Sequence, residues 1–142
     1  MSHAEDALQG LRKTGFRLTK ARRALFAALE AALRPMSVPE LRVRMKKAGA
    51  AADKTTIYRE LAFLLERRLV QAIQFGDGLK RYELRGGHHH HHLVCTACGI
   101  VIDVSLKGDL DAIERRLARR TGFRIDDHSL EFFGLCADCR RA

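Results

Sequence analysis

The chain has 142 residues, of which 46% are hydrophobic, and this composition supports one or two small cores rather than a single large one. No apolar run approaches the roughly 18 residues that a membrane helix requires, and the first residues lack the basic, apolar and small-residue order of a signal peptide. We therefore expect a soluble, cytoplasmic protein that does not bind a membrane.

The positive charge is confined to the first part of the chain. The formal net charge is +9, and residues 1–85 contain 18 Lys and Arg against 9 Asp and Glu, whereas residues 86–142 contain 8 of each. A basic region of this kind favours attraction to phosphates or to acidic membranes. The same charge would also suit an ordinary solvated surface.

The first part of the chain predicts several short helices followed by a hairpin. Apolar residues recur at helical spacing, and Ser37 with Glu40 has the form of a capping box at a helix start. Two strand-like runs then flank a turn that contains Gly76 and Gly78. The helices are expected over residues 4–13, 19–35, 37–48 and 54–68, and the strands over residues 69–75 and 80–84. This order of elements predicts a winged helix-turn-helix.

Residues 54–68 combine two properties that a DNA-recognition helix needs. One stripe, which begins at Ile57 and continues with leucines, can be buried in its own domain. The other face offers hydrogen-bonding groups near the helix start, where base edges are usually contacted. The candidate base-contacting residues are Thr55, Thr56, Tyr58 and Arg59. Taken alone, this pattern also fits an amphipathic helix with solvated charges.

Basic residues near the start of the second predicted helix are placed in sequence for contacts with the DNA backbone or the minor groove. They are Arg17, Lys20, Arg22 and Arg23. Contacts of this kind orient a protein on a duplex without reading its sequence. Together with the hairpin and the localised charge, they favour DNA binding over a solvated basic surface.

The composition changes at Gly86 and Gly87, which we interpret as a hinge between two domains. We expect an α+β protein with an N-terminal winged-helix domain, residues 1–85, and a small C-terminal α/β domain, residues 88–142. The elements of the second domain are expected over residues 100–104 (strand), 109–121 (helix) and 123–135 (further strand). A domain this small has little core, so bound metal should contribute decisively to its folding.

The four cysteines form two CxxC pairs with none left over. They are Cys95, Cys98, Cys136 and Cys139. In a secreted chain they would suggest disulfides. In a chain without a secretion signal, four thiolates at about 2.3 Å satisfy tetrahedral Zn²⁺ and leave no open position for catalysis, so we expect a structural zinc site.

Five consecutive histidines, residues 88–92, precede the first CxxC pair. In an extended segment His90 and His92 share one side, while His89 and His91 share the other, so one strand can supply two metal sites. Carboxylates would shift such sites towards harder ions such as Mn²⁺ or Fe²⁺. The candidate further ligands are Glu83, Asp103, Asp111 and His128. A surface histidine cluster without a dedicated ion is the alternative.

An ordered set of motifs resembles the ferric uptake regulator family of bacterial metal-dependent regulators, over roughly residues 10–140. The motifs are GFRLT at 15–19 with Arg22, TTIYR at 55–59, RYEL at 81–84, HHHHHLVCTACG at 88–99, DHSL at 127–130 and the final CADC. The set in this order is specific, whereas each motif alone is not.

The resemblance implies that Tyr58 and Arg59 contact DNA and that Arg17 reaches the minor groove. It assigns the four cysteines to structural zinc. It implies a sensory metal site made of Glu83, His90, His92 and Asp103. It implies a second metal site in the dimerisation domain made of His89, His91, Asp111 and His128.

Several positions depart from the family pattern. Pro35 stands where the family often supplies a histidine to the sensory site, and this weakens a peroxide-sensing interpretation. His91 stands where an aspartate is common, which makes the second site softer. All four cysteines are used by the expected zinc site, which argues against the zinc-sensing branch.

The resemblance implies a homodimer that binds palindromic, AT-rich double-stranded DNA and represses metal-uptake genes, with Fe(II) or Mn(II) as corepressor. A zinc-, nickel- or peroxide-sensing member of the family is an alternative. Outside the family, a metal buffer or trafficking protein would leave the basic region without a purpose. A zinc enzyme would require an open metal position, and the sequence has no HExxH motif.

Overall fold

The computed structural model describes residues 2–86, 90–106 and 108–142. The chain divides into two compact units, residues 1–87 and residues 88–142. The helices are α1 (His3–Lys13), α2 (Lys20–Glu30), α3 (Val38–Lys47), α4 (Lys54–Glu66), α5 (Asp109–Thr121) and α6 (Ala137–Arg141). The strands are β1 (Met36–Ser37), β2 (Val70–Gln74), β3 (Lys80–Leu84), β4 (His91–Cys95), β5 (Val101–Val104) and β6 (Glu131–Gly134).

The first unit is a helical core closed on one side by a small sheet. Apolar side chains that are at most 1% exposed come from α2, α3 and α4 and form the centre of this core; they are Leu25, Phe26, Leu41, Met45, Ile57, Leu61 and Leu64. Strands β2 and β3 form an antiparallel hairpin, and β1 adds to the free side of β3. The winged helix-turn-helix prediction is confirmed.

Side-chain caps fix where the helices of this unit begin. Thr19, Ser37 and Asp53 each accept a hydrogen bond from the backbone N–H three residues ahead. At Ser37 the predicted capping box is present, since Glu40 also accepts from the Ser37 N–H at 2.8 Å. Burial alone would raise the pKa of Glu40, but hydrogen bonds from Arg34 and Ser37 outweigh it and lower the pKa to about 2. The start of α3 is therefore fixed by an ionised carboxylate.

The second unit is a three-stranded sheet with two helices and very little core. β4 is the central strand, antiparallel to β5 and parallel to β6. Among its described residues only His91, His92, Val94 and Cys95 are buried. The large apolar side chains that remain exposed are Leu93, Ile100, Ile102, Ile113, Leu117, Phe123, Phe132, Phe133 and Leu135.

The strand expected within residues 123–135 is shorter than the apolar pattern suggests. Only Glu131–Gly134 pair with β4. Before them, local polar contacts take the place of a strand ladder: Arg124 pairs with Asp126 at 2.8 Å, and Asp127 accepts from the N–H of His128 at 2.9 Å.

None of the described helices is long and apolar enough to cross a membrane.

Candidate DNA-reading face and metal centres

Helix α4 buries one stripe in the first unit and leaves the opposite face open. Ile57, in the buried stripe, is fully enclosed, whereas Tyr58 is 45% exposed. Thr55 and Arg59 are also exposed, and Thr56 is half-buried. The side chains predicted to contact DNA therefore lie on the first turns of α4. The buried stripe of this helix sets its orientation.

The start of α4 has its own electrostatic arrangement. Asp53 accepts a hydrogen bond from the Thr56 N–H at 2.6 Å, and this bond is the main reason that the pKa of Asp53 is lowered. The positive charges of Arg59 and Arg42 lower it further. The Lys54 ammonium lies 5.8 Å from the centroid of the Tyr58 ring. A carboxylate at this end suits the helix dipole and keeps the first turn intact.

Two of the four basic residues predicted to contact DNA, Arg17 before α2 and Arg22 within it, have different environments. Arg17 is exposed. Arg22 is only 8% exposed, and each of its three nitrogens donates a hydrogen bond inside the protein. Two of these bonds go to the Glu60 carboxylate, at 2.7 and 3.3 Å, and the third goes to the Arg17 carbonyl at 2.7 Å.

The four cysteines meet in the second unit. Cys95 ends β4, Cys98 lies in the turn that follows, and Cys136 and Cys139 lie at the start of α6, where Cys136 is the N-cap. Their sulfur atoms all lie within 4.8 Å of one another. All four are free thiols, and the Cys98 and Cys136 sulfurs are 3.8 Å apart. This donor set and spacing fit a tetrahedral zinc ion.

The thiols differ in how readily they ionise. The backbone N–H groups of Cys136 and Cys98 lower the pKa of Cys95 to about 6. Side-chain hydrogen bonds with Cys136, Cys98 and Cys95, in that order, raise the pKa of Cys139 to about 12, because they favour its protonated form. A bound cation would favour the thiolate form of all four.

The histidines of β4 and its approach alternate as the sequence predicted. The His90 and His92 rings have centroids 5.1 Å apart, and His92 lies opposite Asp103 in the β4–β5 ladder. The His92 Nε2 atom is 3.7 Å from the Asp103 carboxylate. The His92 side chain is only 2% exposed, whereas that of Asp103 is 54% exposed, so the pair joins a buried imidazole to a carboxylate at the surface. In the first unit, Glu83 on β3 accepts a hydrogen bond from the Gln71 amide.

A second group of possible metal ligands contains Glu114, which was not among the predicted residues. The ring of buried His91 lies 5.2 Å from that of His128. The Nδ1 atom of His128 contacts the Glu114 carboxylate of α5. Asp111, the predicted acidic partner, is exposed, and the described contacts include none between it and these rings. His89, the remaining predicted member, lies outside the described residues.

Helical spacing explains why Glu114 was missed. Asp111 and Glu114 are three residues apart on α5, so both lie on the same side of the helix and periodicity does not distinguish them. Which carboxylate reaches His128 depends on how the loop after α5 returns to β6, and the local pattern of residues does not determine that path. The one signal in the sequence that favours Glu114 over Asp111 as the partner of His128 is the longer side chain of glutamate.

Residues 13–133 match the family model described as the ferric uptake regulator family. The ferric uptake regulation protein of Bacillus subtilis (strain 168) is 35% identical over 133 residues, covering 91% of this chain and 89% of the relative. The zinc uptake regulation protein of Mycobacterium tuberculosis (strain ATCC 25618 / H37Rv) is 35% identical over 126 residues, covering 89% of this chain and 96% of the relative. Both relatives are regulators, and the expectation of a regulator rather than an enzyme is confirmed.

A solved structure shows the same fold. The ferric uptake regulator of Helicobacter pylori matches with a TM-score of 0.77 at 19% identity, covering 99% of this chain and 93% of that chain. The family model, the two relatives and this fold agree with the resemblance that the ordered motifs indicate. This chain belongs to the ferric uptake regulator family.

Proposed function

We propose that this protein is a cytoplasmic transcriptional repressor of metal-uptake genes, which uses Fe(II) or Mn(II) as corepressor and binds a palindromic operator as a homodimer. The observation that carries the proposal is the exposed, hydrogen-bonding face of α4 in the unit that holds all of the chain's net charge. The ferric and zinc uptake regulation proteins that the chain resembles support the regulatory role.

In this proposal α4 enters the major groove. Tyr58 and Arg59 contact base edges, with Thr55 and Thr56 beside them, because these side chains lie on the first turns of the helix. Arg17, which is exposed, inserts into the minor groove and positions the unit on the duplex. Arg22 is left out of the contact set, because its nitrogens already donate inside the protein.

A second copy of the chain covers the apolar surface of the second unit. Leu93 and Ile102 on the sheet, and Ile113 and Leu117 on α5, are among the apolar side chains of this unit that are 38–47% exposed. A monomer in water rarely leaves so many large apolar side chains of one small unit exposed. A symmetric dimer through this unit would bury these side chains. It would also place two copies of the first unit on the two half-sites of an operator.

The sensory site combines Glu83 with His90, His92 and Asp103. Within the second unit, the closeness of His92 to Asp103 and to His90 supports their sharing an ion. Two imidazoles with two carboxylates are harder than an all-nitrogen or thiolate set and favour Fe(II) or Mn(II). Glu83 lies on β3 of the other unit, so ligation by all four restricts the motion of one unit against the other.

The linkage between metal and DNA then depends on these protein ligands. A bound ion would supply the positive charge that two carboxylates and two imidazoles coordinate. These ligands belong to both units, so their coordination would favour one range of angles between the first unit and the second. Metal shifts the protein towards operator binding only if it binds more tightly to that arrangement.

The other two sites have separate roles. The four cysteines hold structural zinc, because their donor set is closed and leaves no position for a substrate. The second site takes His91 and His128 with Glu114 in place of Asp111, because Glu114 contacts the His128 ring. His89, which lies outside the described residues, is the remaining proposed ligand of this site.

The first test of the proposed function measures DNA affinity against metal. A duplex is first enriched from a random pool by the wild-type protein in Mn²⁺, and its affinity is then compared with and without Mn²⁺ or, anaerobically, Fe²⁺. We expect the ion to tighten binding by about tenfold or more, within the usual range of allosteric coupling. His92→Ala should remove the response while retaining weak binding.

The same titration separates the alternatives. Equal affinity with and without any divalent ion would contradict the sensing role. A response to Zn²⁺ or Ni²⁺ at lower concentrations than to Mn²⁺ or Fe²⁺ would instead favour a zinc- or nickel-sensing regulator. Zinc content is measured throughout, so that loss of the cysteine-bound ion is not mistaken for loss of the sensory ion.

A second prediction concerns base reading by α4. Arg59→Ala should cost about 1–3 kcal/mol on the enriched duplex, because one specific contact to a base edge is lost. On a random duplex the loss should be much smaller. Arg12→Ala removes the same charge from the exposed face of α1 and serves as the control. Similar losses from both variants on both duplexes would show that α4 does not read bases.

A third prediction concerns the cysteine cluster. Cys136→Ser should abolish zinc binding and unfold the second unit, because few of its described residues are buried without the metal. Circular dichroism should show that the helices of the first unit persist, and sedimentation should show loss of the dimer. Ser105→Ala, at an exposed position of the same unit, should change neither property. A folded, dimeric Cys136→Ser protein would contradict the structural role.

A fourth prediction distinguishes Glu114 from Asp111. In a His92→Ala background, which disables the sensory site, Glu114→Gln should weaken Mn²⁺ binding about 10- to 100-fold, as loss of a ligand or its immediate support does. Asp111→Asn removes the same charge one turn earlier on α5 and should leave affinity within about twofold, since Asp111 is exposed. Competition with a metal-indicator dye measures both. A larger loss from Asp111→Asn would restore the sequence-based assignment.

A further inference from the structure

Arg22 lies at the centre of a group that joins the segment before α2 to the recognition helix. Its Nε and Nη2 atoms donate to the two carboxylate oxygens of Glu60 on α4, and its Nη1 atom donates to the backbone carbonyl of Arg17. The side chains of Arg22 and Glu60 are only 10% and 14% exposed. A planar guanidinium can make these three bonds at once because its donors form a fixed fork.

Aromatic contacts also connect the segment before α2 to α4. The Arg22 guanidinium carbon lies 3.8 Å from the centroid of the Phe63 ring on α4. Phe16, directly before Arg17, meets Phe63 edge to face at 5.1 Å. The Arg67 guanidinium lies over both rings, at 4.4 Å from Phe16 and 3.7 Å from Phe63. The backbone of residues 16–17 is thus connected to α4 through both an aromatic pair and an ion pair.

We propose that Arg22 and Glu60 are positioning residues, which fix the backbone of Arg17 relative to α4 so that a minor-groove contact and the major-groove contacts are made in the correct register. This inference rests on the proposed function, in which Arg17 and α4 bind the same duplex. Arg22 itself does not touch DNA, although its place in the sequence suggests that it does.

Physical chemistry favours this role over a purely stabilising one. Exchanging a buried ion pair for apolar residues is often neutral or stabilising, so stability alone is a weak reason for the pair. The third donor of Arg22 goes to a main-chain carbonyl, which directs the geometry of the segment that presents the Arg17 side chain. In the proposed function, Arg17 and α4 contact separate grooves of one duplex. A rigid connection between them keeps both contacts within reach of their targets at the same time.

A double-mutant cycle tests the inference on the full-length protein, with the duplex enriched from a random pool in Mn²⁺. The variants are Glu60→Gln, Arg17→Ala and their combination, assayed at a temperature where circular dichroism shows each to be folded. Arg17→Ala should weaken binding about tenfold, as loss of one good DNA contact does. Glu60→Gln should weaken binding about fivefold in the wild-type background and less than about twofold in the Arg17→Ala background, because coupled residues are not additive.

Two further variants sharpen the result. Arg22→Lys keeps the positive charge but loses the fork, so it should reproduce the effect of Glu60→Gln, and it takes the place of that variant in the cycle if Glu60→Gln does not fold. Asp6→Asn removes the same negative charge from an exposed position on α1 and should leave the affinity within about twofold.

Equal losses from Glu60→Gln in the two backgrounds, or no loss in either, would overturn the positioning role while leaving the DNA contacts intact. A loss from Arg22→Lys that persists undiminished in the Arg17→Ala background would likewise overturn it, in favour of direct DNA contact by Arg22. If Arg17→Ala costs nothing, the positioning role falls and the role of α4 stands. Failure of the wild-type protein to enrich any duplex would overturn the proposed function together with this inference.

Discussion

The second unit buries few of its described residues, so a metal ion held by its four thiols would contribute much of its stability. A sheet of three short strands with exposed isoleucines and phenylalanines cannot offset the entropy of ordering its chain by burial alone. Cys95 ends β4 and Cys136 is the N-cap of α6, so one ion held by all four sulfurs would join the central strand to α6. The same strand carries His91 and His92, and their positions therefore depend on that junction.

The two units differ in net charge, in the extent of their buried core and in the kinds of side chain that they carry. The first has a closed apolar core and all of the net charge, so it can fold around α4 and still offer a cationic, hydrogen-bonding face to a polyanion. The second has balanced charge and most of the metal-binding side chains, and its apolar exterior suits another copy of itself. In the proposed function, DNA is read by the first unit alone, whereas the sensed metal would be held by Glu83 of the first unit together with His90, His92 and Asp103 of the second.

The sequence predicted best where one periodic pattern decided the structure. The 3.6-residue period of Ile57 and the following leucines located α4, and the alternation of His90 and His92 placed both on one side of their segment. Short elements were missed: two-residue β1 and five-residue α6 are too brief for any period to appear. The contact between Glu114 and His128 was not predicted for a related reason, since helical spacing puts Asp111 and Glu114 on one face and the path of the next loop decides which of them contacts His128.

Arg22 illustrates a more general difficulty in reading basic regions. A count of positive charge treats Arg17 and Arg22 alike, yet one guanidinium is exposed and the other is enclosed by a carboxylate, a carbonyl and an aromatic ring. The distinguishing signal is Glu60 on α4, an acidic residue that would repel phosphate if it were not paired with Arg22 inside the protein. An acidic residue on a DNA-reading helix has a physical reason when it pairs with an arginine inside the protein, and the pair then contributes geometry rather than attraction to the duplex.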